Sequence, residues 1–174
     1  MRALPLFISV AARSNPRSVA SATSRLPFTA RSMASSSSSS EEAIRATIKG
    51  NSEGYLDACK PFSQEKFDAY WDRYWAPGSI LIRPSGNPLD RDGWSGMMGS
   101  EGVEFISSEL VSIDTVNILS CGKAAVVTYT NHDVFTYEGT ANDDIAKFTV
   151  VLSKKDDGSW IQVHAHRSTG QDPE

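Results

Sequence analysis

The sequence predicts an α+β fold in which helices come first and an antiparallel sheet follows. Two observations carry this. Before about residue 98 apolar residues recur at steps of three and four, and from Val103 onward the periodicity becomes strand-like. The second half is divided by turn signals at Cys121-Gly122, at Gly139-Thr140-Ala141-Asn142-Asp143 and at Asp156-Asp157-Gly158. Such short connections make consecutive strands antiparallel neighbours.

Residues 41–60 place Ile44, Ile48, Tyr55 and Leu56 at helical spacing, although Gly50 and Gly54 weaken the middle of the segment. After Pro61, Ser63 is a good N-cap and Glu65 suits a first helical turn. Phe67, Tyr70, Trp71, Tyr74 and Trp75 then fall at steps of three or four, so a second, aromatic helix stops before Pro77-Gly78. Ile80-Leu81-Ile82-Arg83 reads as a short strand entering the turn Pro84-Ser85-Gly86-Asn87-Pro88. Asp90 can cap a brief helix containing Trp94, Met97 and Met98. Four strand-like runs follow, at about 103–119, 124–138, 145–154 and 159–168.

Both faces of these strands carry apolar residues. Phe148, Val150 and Leu152 oppose Ile145 and Val151, and Val126 and Val134 oppose Val127, Tyr129, Phe135 and Tyr137. One face is expected to pack on the helices and the other on a second subunit, since a large exposed apolar patch is unusual on a monomer. A homodimer or higher homo-oligomer is therefore expected.

The 174 residues suit one domain of ordinary size, and 40% apolar with 22% charged residues is a globular balance. Cys59 and Cys121 lie far apart without C-x-x-C spacing, which points to two buried thiols rather than a disulfide framework or zinc ribbon. No apolar run reaches the ~20 residues of a membrane-spanning helix.

Charge divides the chain. Residues 1–40 hold five arginines, at 2, 13, 17, 25 and 31, and no Lys, Asp or Glu. The other 12 basic residues face all 21 acidic ones, so residues 41–174 carry a net charge of −9, which argues against nucleic acid and anionic membranes as partners. The Arg- and Ser-rich, acid-free segment 1–40 has the composition of an organelle-targeting extension, favouring the mitochondrion. Alternatives are a plastid address behind the short apolar run Leu4 to Ala12, a disordered tail, or a cytosolic start at Met33. Ser35 to Ser40 reads as linker. The expected division is an extension at 1–40 and a folded domain at 41–174.

The stretch Asp157-Gly158-Ser159-Trp160-Ile161-Gln162-Val163-His164-Ala165-His166-Arg167-Ser168 resembles the last strand of the association (hub) domain of calcium/calmodulin-dependent protein kinase II, with its D-G-x-W-x-x-V-H-x-H-R-S pattern. Across 41–170 the order of elements resembles the SnoaL-like and nuclear transport factor 2-like (NTF2-like) superfamily. Ile82-Arg83-Pro84-Ser85-Gly86-Asn87-Pro88-Leu89 also looks like a segment of small members from algae and cyanobacteria. The resemblance implies a curved antiparallel sheet wrapped around the N-terminal helices, a cystatin-like cone with an internal pocket, and dimerisation through the sheet. At Val150 to Lys155, where the hub domain places further pocket arginines, this chain has lysines, so only Arg167 carries over.

Arg167 is the first candidate for ligand binding. By simple alternation it shares a face with Ile161, Val163 and Ala165, and an arginine on an apolar face is either paired or open to an anion. A ligand carboxylate is one partner; an internal ion pair with Asp144 or Glu109 is the other. His164 and His166 share the opposite face, and with His132 they make three imidazoles. Satisfied histidines, rather than a metal site, are the expectation. Tyr70, Trp71, Tyr74 and Trp75 are candidates for a pocket wall or plain core, with Trp94, Met97 and Met98 near the mouth. The expected ligand-binding set is Arg167, His166, Tyr70, Trp71, Tyr74 and Trp94. Acid–base candidates are Asp68, Asp72, Asp133, Asp144 and His132, each also an ordinary surface charge.

No G-x-S-x-G motif, Gly-rich phosphate loop or Cys/His nucleophile pattern is present, and no cofactor is expected. Two functions stay open. One is a self-associating binding module for a small ligand, a carboxylate among the candidates, anchored by Arg167. The other is a small pocket enzyme, either of the SnoaL-like proton-transfer type or similar to the metal-free carbonic anhydrases. A pocket carboxylate with a raised pKa would favour the enzyme.

Overall fold

A computed structural model of the chain describes residues 31–169. Residues 1–30 of the predicted targeting extension lie outside the described residues. Helix α1 spans Arg31–Cys59. It takes in the serine run expected to be linker, because serine is only middling in helix propensity and the run continues a helix pinned by fully buried Ile44 and Ile48. Helix α2 spans Gln64–Tyr74, and the Ser63 hydroxyl accepts from the Lys66 N–H at its start.

Gly50 and Gly54 have a packing role. A Cβ on Gly50 would lie 2.6 Å from the Tyr74 hydroxyl, and one on Gly54 would lie 3.1 Å from the Tyr74 ring and 3.3 Å from the Tyr70 ring. The two glycines let α2 press its aromatic face onto α1.

Strand β1, Trp75–Ile82, starts where the aromatic stripe was expected to end in helix. Trp75 thus belongs to the sheet, yet its ring still stacks on Trp71 at 4.9 Å, and Trp94 meets both edge-on. Strand β2 is Pro88–Leu89, and helix α3, Arg91–Met98, is capped by the Asp90 carboxylate accepting from the Gly93 N–H.

The remaining strands are β3 (Val103–Ile118), β4 (Ala124–Tyr137), β5 (Thr140–Lys154) and β6 (Trp160–Thr169). The six-stranded sheet has the order β2-β1-β6-β5-β4-β3. It is mixed rather than wholly antiparallel, since β1 runs parallel to β6. The β4–β5 turn is tighter than the expected Gly139 to Asp143. Glu138 and Gly139 take φ of 49° and 78°, and Tyr137 already pairs with Thr140. Positive φ at both central residues is what a two-residue hairpin of this hand requires.

Three irregularities interrupt the β3–β4 ladder and one the β5–β6 ladder. Such bulges bend a strand and increase its twist, which curls the open sheet around the helices. The inner face carries Val127, Tyr129, Val150 and Leu152, all buried. The outer face is mixed: Val126, Val134 and Val151 are half-buried and Ile145 is exposed, among Thr128, Thr149 and paired charges. Among the described residues no helix is long and apolar enough to cross a membrane.

Candidate functional site

A cavity of about 200 Å³ lies between α1, α3 and the inner face of the sheet. Its wall is apolar. Trp94, Met97 and Met98 come from α3, and Phe105, Phe135 and Phe148 from β3, β4 and β5. The rings are held by one another: Phe105 stacks on Phe135 at 5.6 Å, and Phe148 on Tyr129 at 4.8 Å. From α1, the buried Tyr55 hydroxyl accepts from the Trp94 indole N–H at 3.3 Å and donates to the Met98 sulfur at 3.4 Å. Burial holds this phenol well above its ordinary pKa. Exposed Pro84 and Tyr137 mark the open side.

The polar end is built from neighbouring positions on β4, β5 and β6. Asp133 pairs with Asp144 across β4–β5, and Phe148 with Arg167 across β5–β6. Inward-facing positions therefore bring one arginine between two carboxylates. An Arg167 Nη lies 3.0 Å from an Asp144 oxygen and 3.5 Å from an Asp133 oxygen. The guanidinium also stands 5.9 Å from the centre of the Phe135 ring. On its other oxygen Asp133 accepts from Ser108 at 2.8 Å. Asp133 is only 4% exposed. Burial raises its pKa, the Asp144 charge adds to the rise, and the Ser108 hydrogen bond and Arg167 oppose it.

The predicted ligand set divides. Arg167 and Trp94 line the cavity. His166 does not, because it is exposed on the outer face. Tyr70 is core: its hydroxyl donates to Asn51 at 2.9 Å and accepts from the Trp75 indole at 2.9 Å. Trp71 backs the tryptophan stack and borders a separate surface hollow with Asp72 and Arg91. Tyr74 packs against the α1 glycines.

The predicted row Ile161, Val163, Ala165, Arg167 is also corrected. Leu152 pairs with Gln162 while Val151 pairs with His164, so Val163 is surplus in β6 and the alternation shifts there. Buried Trp160, Gln162 and Ala165 share the Arg167 side. Gln162 donates to Asn51 at 2.6 Å.

Of the acid–base candidates only Asp133 lines the cavity. Asp68 and Asp72 hold Arg91 at the surface. His132 bonds Asp143 on the outer face, and that bond raises the imidazole's pKa. The three histidines do not converge, and no group of three or more metal-ligating side chains is found among the described residues. Cys59 is buried as expected, its thiol pushed up to about 12 by desolvation, but Cys121 is exposed rather than buried because it sits in the β3–β4 turn.

Sequence reasoning missed Tyr55, Ser108, Phe105 and Arg83. Phe135 and Phe148 were each assigned to one face of their strands but not to a cavity.

Residues 57–173 match the protein family described as "Protein of unknown function (DUF3804)". The chain belongs to this family. Among solved structures, this DUF3804 member is similar to an NTF2-like protein of unknown function from Prochlorococcus marinus, at 28% identity and TM-score 0.61, over 76% of this chain and 94% of that one. An NTF2-like superfamily protein from Salmonella enterica is similar at 18% identity and TM-score 0.57, over 80% and 96%. A ketosteroid isomerase-like protein from Erwinia carotovora atroseptica follows at 18% and 0.54, over 72% and 95%. The fold is thus NTF2-like, as its order of elements implied. No curated protein matches the chain.

Proposed function

We propose that the domain binds a small, largely apolar molecule in the cone, with Arg167 and Asp133 forming the polar inner end of the site. The observation that supports this is a buried Asp133, its pKa raised by burial, beside Arg167 and facing walls of Trp94, Phe105 and Phe135. An apolar cavity of about 150 Å³ can hold benzene, so about 200 Å³ suits one ring or a short chain. Arg167 anchors the polar end through Asp133 and Asp144 rather than as a free cation. Saturation-transfer NMR with phenol tests the reading. Saturable binding is expected, and Leu89→Trp, which fills the cavity from β2, should abolish it. Absence of binding, or binding unchanged in the filled variant, would overturn it.

The raised Asp133 carboxyl favours a second reading, proton transfer to or from a carbonyl compound. Exchange of the α-protons of cyclohexanone in deuterated water, lost in Asp133→Asn, would support it. Equal exchange by protein and variant would remove it.

Self-association through the outer face of β4 and β5 is part of the proposal. Val134 and Ile145 lie there beside the hydrogen-bonded His132–Asp143 pair and the Lys147–Asp114 ion pair, a patch that can meet its own two-fold copy. A single-chain mass by light scattering at micromolar concentration would exclude it.

A further inference from the structure

Two arginines line the cavity, and their situations differ. Arg167 is neutralised by Asp144 and Asp133. Arg83 has no carboxylate within ion-pair distance among the described residues. Its side chain reaches only the Asn87 carbonyl, at 3.5 Å through Nε, and the Met97 sulfur, at 3.9 Å. It is half-buried, with Leu81, Pro84, Leu89 and Met97 also lining the cavity beside it. A guanidinium set against apolar surface without an acid keeps its full capacity for one.

The backbone holds this cation in place. The Arg83 N–H donates to the Asn87 carbonyl at 3.1 Å, and the Gly86 N–H donates to the Arg83 carbonyl at 2.8 Å. Gly86 takes a φ of +81°, open to glycine at no steric cost, and Pro84 and Pro88 restrict the rest of the turn. Little main-chain entropy is left to lose when a ligand arrives.

Charge gives the cavity a direction. At the inner end two carboxyl groups share one guanidinium, which leaves no free cation there for an anion. Arg83, on the β1–β2 turn beside exposed Pro84, attracts one. We propose that Arg83 is the anion anchor of the cavity and that the ligand is a monocarboxylic acid with an apolar body of about one ring. Its carboxylate lies on Arg83 and its body points inward against Trp94, Phe105 and Phe135. The inference rests on the cavity being a ligand site, and it assigns the acid to a residue other than Arg167.

Three single-ring probes, benzoate, benzyl alcohol and benzylamine, separate the two ideas in one titration by saturation-transfer NMR. Benzoate is expected to bind best and benzylamine worst. Arg83→Gln should weaken benzoate about tenfold or more, the scale of losing a charge-assisted bidentate contact, and leave benzyl alcohol within about twofold. Arg83→Lys should recover part of the loss, as the charge returns without the planar fork. Thermal unfolding of each variant confirms that it is folded. Benzyl alcohol binding as well as benzoate, or benzoate indifferent to Arg83→Gln, would overturn the assignment and leave the cavity as a site for neutral ligands. Failure of all three probes would overturn both.

Discussion

Arg167 stands 3.0 Å from Asp144 and 3.5 Å from Asp133, so one guanidinium nitrogen holds a partly exposed carboxylate closely and a buried one at the limit of a hydrogen bond. Asp144 is the main electrostatic partner, and burial raises the pKa of Asp133.

Removing the arginine should therefore be felt first as lost stability. Arg167→Ala leaves Asp144 and Asp133 adjacent and unpaired, and is expected to cost about 3 kcal/mol, the low end for a broken buried pair because Asp144 is partly exposed. Arg167→Ala combined with Asp144→Asn should recover part of that cost. Urea unfolding of the two variants decides it, and a fully stable Arg167→Ala would mean that the cluster contributes nothing to the fold.

Asp133 sets a pH dependence whose sign is fixed by its raised pKa. Between the unfolded aspartate value of about 3.9 and the higher folded value, the native state binds more protons than the unfolded state. Stability attributable to this group then falls as pH rises through that window. Asp133→Asn mimics the protonated form. Its stability should match the parent near pH 4 and exceed it increasingly above, by about 1.4 kcal/mol for each pH step of one across that window. Denaturation curves from pH 4 to 8 test this, and a gap that does not change with pH would contradict it.

Gly50 should resist the usual benefit of alanine in a helix. Propensity alone favours Gly50→Ala by about 1 kcal/mol, but the new Cβ would lie 2.6 Å from the Tyr74 hydroxyl, and overpacking of that kind costs about 1 to 3 kcal/mol. The single variant is expected to be less stable than the parent. In a Tyr74→Ala background the same change should stabilise. A double-mutant cycle by thermal unfolding reads the coupling directly, and additivity of the two changes would show that the contact is slack.

Local chemistry made much of the fold legible. Ser63 and Asp90 cap the helices they were expected to cap, and Val103, Ala124 and Trp160 start strands within a residue of the breaks read from the sequence. The failures were non-local. Nothing near Trp75 states that it will lie beside Gln162, so the parallel pairing was not foreseen. Alternation counted straight through β6 put Ile161 and Val163 on the side of Arg167, and the surplus residue Val163 reverses that inference without any glycine to announce it. Arg167 stood out because its strand is apolar. Arg83 did not, since its solvation depends on Leu89 and Met97, which reach it only through the tertiary fold.

The parallel contact of β1 with β6 joins residues as far apart as Trp75 and Gln162, 87 positions along the chain. Order of assembly follows from that separation. Until β6 is in place, Asp133 and Asp144 lack their guanidinium, and the inner edge of β1 has no neighbour. The last described strand closes both deficits in one step, docking beside Ile80 and Leu81 while delivering Arg167 between the two acids. Long-range closure of this kind is slow, and the cavity comes into being only as β6 completes the sheet.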